Sequence, residues 1–174
     1  MTRLILLLAL LLAPRPATAL EWGAIQPGAS TVEQVRERYG PPSKESRPKV
    51  EGYDTLTWIY EGSRAPGGIA RLTVDFGLLT AAGYKPGVVR IFTLEPKPAI
   101  FGRATVVQGW GIPDGKKDNP DGTMTLLWRE GLIVTLDKAG EEATSLIFSL
   151  PQPGLVPPSA GPAPSQPAAP APRR

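Results

Sequence analysis

The chain has neither histidine nor cysteine among its 174 residues. That removes the side chain used most often as general base, the Ser-His-Asp arrangement, thiol nucleophiles and most zinc sites. Covalent chemistry would fall to carboxylates, lysine or tyrosine. Asp75 and Asp137 stand at similar places in two similar segments, Leu72-Thr73-Val74-Asp75 and Val134-Thr135-Leu136-Asp137. Two carboxylates flanking one bond can act as acid and base in turn. The plainer reading, which we prefer, is that each marks the polar end of a strand. The run Asp114-Gly115-Lys116-Lys117-Asp118-Asn119-Pro120-Asp121-Gly122 is rich in oxygen ligands for calcium. It lacks the alternating acidic spacing of a calcium loop, and two lysines interrupt it. Asp, Asn, Pro and Gly are also ordinary turn residues, so a plain loop is expected. Gly62-Ser63-Arg64-Ala65-Pro66-Gly67-Gly68 has the glycines of a phosphate loop without its GK[ST] ending, and reads as a hairpin loop. No catalytic residue, cofactor or metal is expected, and the chain reads as non-enzymatic.

Residues 1–19 have the layout of a cleavable export signal. Arg3 is followed by an unbroken apolar run from Leu4 to Ala13, then by Pro14 and Pro16, then by Ala17-Thr18-Ala19 with the small-x-small pattern of a cleavage site. The apolar run falls well short of the roughly 20 residues that a spanning helix needs. No later stretch is apolar enough to span, so the mature chain is expected to be soluble, without a transmembrane segment, and periplasmic or secreted. A bacterial lipoprotein would carry a cysteine where Leu20 stands, so no lipid anchor is expected. The charge of 19 Lys+Arg against 16 Asp+Glu owes its basic excess to Arg3, Arg15, Arg173 and Arg174 at the two ends. The part between is nearly neutral and offers no excess charge to a phosphate backbone, so no nucleic-acid partner is expected.

From Pro151 to Arg174 the chain is rich in proline and alanine, with some serine and glycine, a composition that cannot offset the entropy of ordering. It is expected to be a disordered spacer. Between the ends, landmarks recur in one order. Tyr39-Gly40-Pro41, Trp58, Leu72-Thr73-Val74-Asp75 and Ile91-Phe92-Thr93-Leu94 are followed by Trp110-Gly111-Ile112-Pro113, Trp128, Val134-Thr135-Leu136-Asp137 and Ile147-Phe148-Ser149-Leu150. This predicts two units, residues 20–97 and a shorter 98–150. Each unit opens with a helix. The first is capped within Ser30-Thr31-Val32-Glu33-Gln34, carries Val32, Val35 and Tyr39 on one face, and stops at Gly40-Pro41-Pro42. The second is expected over about 99–109. Three strands then follow in each unit. Leu56, Trp58 and Tyr60 alternate with Thr57, Ile59 and Glu61; Leu72, Val74 and Phe76 with Arg71, Thr73 and Asp75; Leu132, Val134 and Leu136 with Ile133, Thr135 and Asp137. The expected fold class is α+β: two tandem units, each a helix over a three-stranded antiparallel sheet, with the helices on one sheet face.

The segments Ile25-Gln26-Pro27-Gly28, Glu33-Gln34-Val35, Gly40-Pro41-Pro42 and Trp58-Ile59-Tyr60 resemble the SmpA/OmlA, or BamE-like, domain family of bacterial envelopes. Its members show a Pro-Gly turn before a capped helix, a Gly-x-Pro helix stop and a W-x-Y strand. The resemblance covers about residues 23–94 and recurs weakly in the second unit. Tandem units of this kind also occur in the secreted β-lactamase inhibitory protein, whose sheet forms a concave protein-binding surface. The resemblance implies a protein-binding or adaptor module whose partner is an envelope or extracellular protein. The binding face is expected to be the threonine-rich side of the strands, with Ile59, Arg71, Thr73, Asp75, Arg129, Thr135 and Asp137. Two other readings stay open: a secreted inhibitor of an extracellular hydrolase, and a carboxylate-dependent envelope enzyme.

Overall fold

The computed structural model describes residues 19–152. The expected export signal, apart from Ala19, and the proline-rich segment beyond Gln152 lie outside the described residues. The first helix, α1 (Val32–Tyr39), starts where its cap dictates. The Thr31 hydroxyl accepts the Gln34 N–H, and the Gln34 side chain accepts the Thr31 N–H at 3.0 Å, a reciprocal capping box. Ser30, the other candidate cap, is occupied elsewhere: its hydroxyl accepts the Gln26 N–H at 2.9 Å. Gly40 ends the helix with φ +74, the left-handed region that glycine enters without penalty.

Strands follow: β1 (Lys44–Ser46), β2 (Lys49–Val50), β3 (Tyr53–Asp54), β4 (Leu56–Glu61), β5 (Ile69–Thr80) and β6 (Gly83–Pro96). The second helix, α2, spans Arg103–Trp110, and β7 (Gly115–Asp118), β8 (Met124–Leu127), β9 (Leu132–Leu136) and β10 (Ala143–Phe148) complete the described chain. The start of α2 falls four residues later than expected. It has no side-chain cap, and the Arg103 N–H instead donates to the Glu141 carbonyl at 2.7 Å, so tertiary pairing sets its boundary.

The expectation of two helix-plus-three-stranded units is overturned. The described residues are mostly strand, with two eight-residue helices. Eight strands form one antiparallel sheet in the order β1-β4-β5-β6-β10-β9-β8-β7, and β2 and β3 form a separate hairpin. Two physical causes account for the difference. The edge strands Lys44-Glu45-Ser46 and Gly115-Lys116-Lys117-Asp118 are charged and largely exposed, so they lack the apolar alternation that marks a strand in sequence. In addition, β6 pairs with β10, Phe92 opposite Phe148 and Leu94 opposite Leu146. That pairing fuses what would have been two sheets, because each strand carries apolar side chains that would otherwise sit at an open edge.

One face of this sheet is the core. A transverse row runs Trp58–Val74–Phe92–Phe148–Leu132, and the next runs Tyr60–Leu72–Leu94–Leu146–Val134–Leu126; all are buried. Both helices pack on it. Val35 and Val106 join the core, Tyr39 of α1 lies 5.9 Å from Tyr60, and Trp110 of α2 meets Phe148 edge-on at 5.5 Å. Arg36 of α1 sits 5.0 Å above the Trp58 ring, whose N–H donates to Glu45 at 3.0 Å. No helix among the described residues is long and apolar enough to cross a membrane.

The rings of Phe92 and Phe148 stack at 4.5 Å across the β6–β10 junction. Phe148→Ala is expected to cost about 3–5 kcal/mol, the usual range for emptying a buried aromatic site. Urea denaturation of the full chain measures it, and a loss below about 1 kcal/mol would show that the junction does not depend on this pair.

Candidate functional site

Side chains alternate across a strand, so the residues between the core positions all point to the other face. Neither α1 nor α2 packs on that face. Its central row crosses all eight strands: Lys44, Ile59, Thr73, Thr93, Ile147, Ile133, Leu127 and Gly115. On one side of this row lie Glu61, Arg71 and Glu95 on β4, β5 and β6; on the other lie Thr57, Asp75 and Ile91 on the same strands. Over the second half, Ser145, Thr135 and Thr125 continue the first flank. Most of these side chains are half-buried by their neighbours in the sheet alone. The result is an apolar and threonine lane, Ile59 to Leu127, bordered by charge at its β4–β6 end.

The charges on this face are held by one another. Glu61 pairs with Lys44 at 2.6 Å and with Arg71 at 3.3 Å, and Arg71 reaches Glu95 at 3.5 Å. The hydrogen bond from the Lys44 ammonium, with help from Arg71, keeps the Glu61 carboxyl below the usual carboxylate range. Asp75 accepts the Thr57 hydroxyl directly across the β4–β5 pair.

Five of the seven expected site residues, Ile59, Arg71, Thr73, Asp75 and Thr135, lie together on this face. Arg129 and Asp137 do not. Arg129 sits in the β8–β9 turn, its N–H donating to Asp114 at 2.9 Å and its guanidinium 3.6 Å from the same carboxylate. Asp137 lies past the end of β9, where its carboxylate accepts the Glu141 and Glu142 N–H groups at 2.9 and 3.2 Å and closes the turn to β10. Those two bonds, Glu141 first, draw its carboxyl below the usual range. Asp75 and Asp137 are three strands and about six residues apart, roughly 14 Å by 20 Å at the spacings of a sheet. They cannot flank one bond. The Asp114–Gly122 segment is not a loop but strand β7 and its turn. There Asp121 accepts the Thr123 N–H and hydroxyl, and Asn119 donates to Thr123 and Thr125. Among the described residues no three acidic side chains are grouped as metal ligands.

Sequence reasoning missed Thr93, Ile91, Ile147 and Leu127 as members of the face. Their signal was present in the alternation of Ile91-Phe92-Thr93-Leu94 and Ile147-Phe148. Reading it needed the β6–β10 pairing, which no local pattern specifies.

The depressed carboxyls of Glu61 and Asp137 set a pH dependence. A carboxyl whose folded value lies below its unfolded one, near 4, stabilises the fold above that value and loses the contribution as pH falls through the folded value. The chain has no histidine to titrate between. The thermal midpoint is therefore expected to stay level from pH 7 to about 5 and to fall between about 5 and 2. Glu33, Glu45 and Asp121 are lowered as well, so the double variant Glu61→Gln, Asp137→Asn is expected to make that acid limb shallower without abolishing it, as read by circular dichroism melts; an unchanged acid limb would rule these two carboxylates out as contributors.

No protein-family model matches the chain, and no curated protein matches it. Among solved structures it is similar to an extracellular protein containing an SCP domain from Bacillus anthracis str. Ames, with 8% identity and a TM-score of 0.43. The similarity covers 79% of this chain and 50% of that one, so the chain spans about half the length of that structure.

Proposed function

We propose that this protein is a non-enzymatic binding or adaptor module of the cell envelope or extracellular space, and that it engages another protein through the uncovered face of its sheet. One observation carries the reading. Both helices and the aromatic core lie on one side of eight strands, and the other side presents Ile59, Thr73, Thr93, Ile147, Ile133 and Leu127 in an unbroken row. An antiparallel sheet with one solvated face is common. A solvated face usually alternates charge and threonine, whereas this row carries four aliphatic side chains. Such a lane gains from being covered by an apolar partner surface.

The edges of the sheet support face-on rather than edge-on docking. Strand β1 is three residues long with Lys44 and Glu45, and β7 carries Lys116, Lys117 and Asp118. Short, charged edge strands discourage the addition of a further strand. The resemblance of Gln26-Pro27-Gly28, the Thr31-capped helix and Gly40-Pro41-Pro42 to the SmpA/OmlA family supports an envelope partner. The apolar run ahead of Ala17-Thr18-Ala19 supports export.

The test uses a photoreactive phenylalanine at Thr93, in the middle of the lane. In the envelope fraction of the producing cell it is expected to form a discrete protein adduct on illumination. The double variant Ile133→Arg, Ile147→Arg, shown by circular dichroism to be folded, is expected to reduce that adduct at least tenfold, because two charges would have to be desolvated. An adduct of unchanged strength in the double variant, or none in the parent, would refute the assignment.

A further inference from the structure

Residues 19–30 form a strap that ties the β8–β9 turn and both helices to β6, and it begins at the expected cleavage site. The Leu20 N–H donates to the Glu130 carbonyl in that turn at 3.4 Å. Trp22 and Ile25 then exchange both backbone hydrogen bonds, at 3.1 and 2.9 Å, around Gly23 and Ala24. Ala24 holds φ +67. The left-handed region costs an alanine energy, so the turn is held by what surrounds it. Both helices do so. The Trp22 ring lies parallel to that of Tyr39 on α1, and the Tyr39 hydroxyl donates to the Gly23 carbonyl at 2.7 Å. The Trp110 indole N–H of α2 donates to the Glu21 carbonyl at 3.4 Å. Ile25 enters the core, and Gly28 and Ser30 pair with Val89 of β6.

The first residues of a domain are usually loose unless something ties them down. Here the tie reaches back to the scissile bond. Ala19 is 8% exposed, and its carbonyl accepts the Gln26 side-chain amide at 2.8 Å. These are the two groups a signal peptidase must take. The small side chain ahead of the cut fills a pocket of the enzyme, and the carbonyl turns to donors in its oxyanion hole. The folded chain withholds both. Gln26 lies on the far side of the cut from Ala19, so their hydrogen bond exists only while the chain is whole.

We propose that the Ala19–Leu20 bond is a processing site that folding closes: signal peptidase cuts it while the strap is undocked, and a chain that folds uncut keeps its export signal. The proposal rests on the export reading above and adds an order of events. The chain crosses the membrane unfolded, is cut, and only then docks residues 20–30. Cleavage adds one water across the amide. The carboxylate leaves on Ala19, and the ammonium stays on Leu20, beside the Glu130 carbonyl. A chain that docks first keeps the apolar Leu4–Ala13 run joined to the folded protein.

The experiment presents the full chain to purified bacterial signal peptidase in detergent micelles. One arm is the folded parent. The other is the chain kept unfolded by Val74→Asp with Phe92→Asp, two charges at core positions far along the sequence from the cut. Circular dichroism in the same micelles verifies both states. The unfolded arm is expected to be cut to a chain whose N-terminal sequence begins at Leu20, and the folded arm at least a hundredfold more slowly. A Gly-Ser spacer inserted between Ala19 and Leu20 moves the bond clear of the strap and leaves the strap's other contacts in place. It is expected to bring cutting of the folded chain to within severalfold of the unfolded rate. Trp22→Ala with Gln26→Ala, which loosens the strap, is expected to speed cutting of the folded chain at least tenfold; the spacer chain tests the same point without depending on whether that variant folds. Equal rates in the two arms, or a folded spacer chain as resistant as the parent, would overturn the closure and leave the export reading standing. No cut in the unfolded arm would overturn the export reading, and the site with it.

Discussion

The pairing of β6 with β10 is the constraint on which the rest of this structure depends. Each strand ends a four-stranded meander, β1-β4-β5-β6 in the first half and β7-β8-β9-β10 in the second. Each carries large apolar residues on one side, Phe92 and Leu94 on β6, Leu146 and Phe148 on β10. Left unpaired, either strand would be an apolar edge, the form most prone to indiscriminate strand addition. Joining them antiparallel satisfies both backbones and stacks Phe92 on Phe148. It also leaves the two charged, short strands β1 and β7 as the outer edges, where lysines are tolerated. Farther along, where β10 has ended, β6 is met instead by the N-terminal segment: the Gly28 N–H donates to the Val89 carbonyl, and the Val89 N–H to that of Ser30, both at 2.8 Å.

The same pairing fixes which face is covered. Because the transverse rows run in register from β4 to β9, Trp58 and Phe148 must point the same way. Whatever packs on one of them lies on the same side as whatever packs on the other. Helix α1 meets the Trp58 end and α2 the Phe148 end, so the helices cannot divide between the faces. Among the described residues, that register is why both helices leave the same side of the sheet uncovered.

Much of this was legible in the sequence, and the illegible part has a physical reason. The Thr31–Gln34 box, the Gly40-Pro41-Pro42 stop and the alternation around Trp58, Val74 and Val134 are local signals, and each marks an element that the structure contains. The edge strands escaped because exposure on both sides removes the alternation that would reveal them. The start of α2 escaped because its first N–H groups are satisfied from the Glu141 loop rather than by its own cap. Arg129 and Asp137 were assigned to the face because strand parity was carried past the ends of β8 and β9, into turns where it no longer holds. The fusion of two units into one sheet is a long-range pairing, and no spacing within either unit specifies it. The bulge at Arg90, opposite the step from Asp75 to Phe76, was invisible for a related reason: it breaks the period of two, and only the register of β5 against β6 exposes it.

The open face has a direction across its strands. Glu61, Arg71 and Glu95 lie on one side of the lane and Thr57, Asp75 and Ile91 on the other. The first group is already neutralised: Glu61 holds both Lys44 and Arg71, and Arg71 also reaches Glu95. Covering paired charges costs less than covering free ones, because each keeps a partner when water leaves. Threonine hydroxyls along the lane cost less again, and their methyl groups pack as valine would. On the far side Asp75 accepts a hydrogen bond from Thr57 but has no ion pair within 4.0 Å among the described residues. A surface so graded, from paired charge through apolar lane to an unpaired carboxylate, has two unlike flanks. A covering segment would therefore meet unlike flanks in its two orientations.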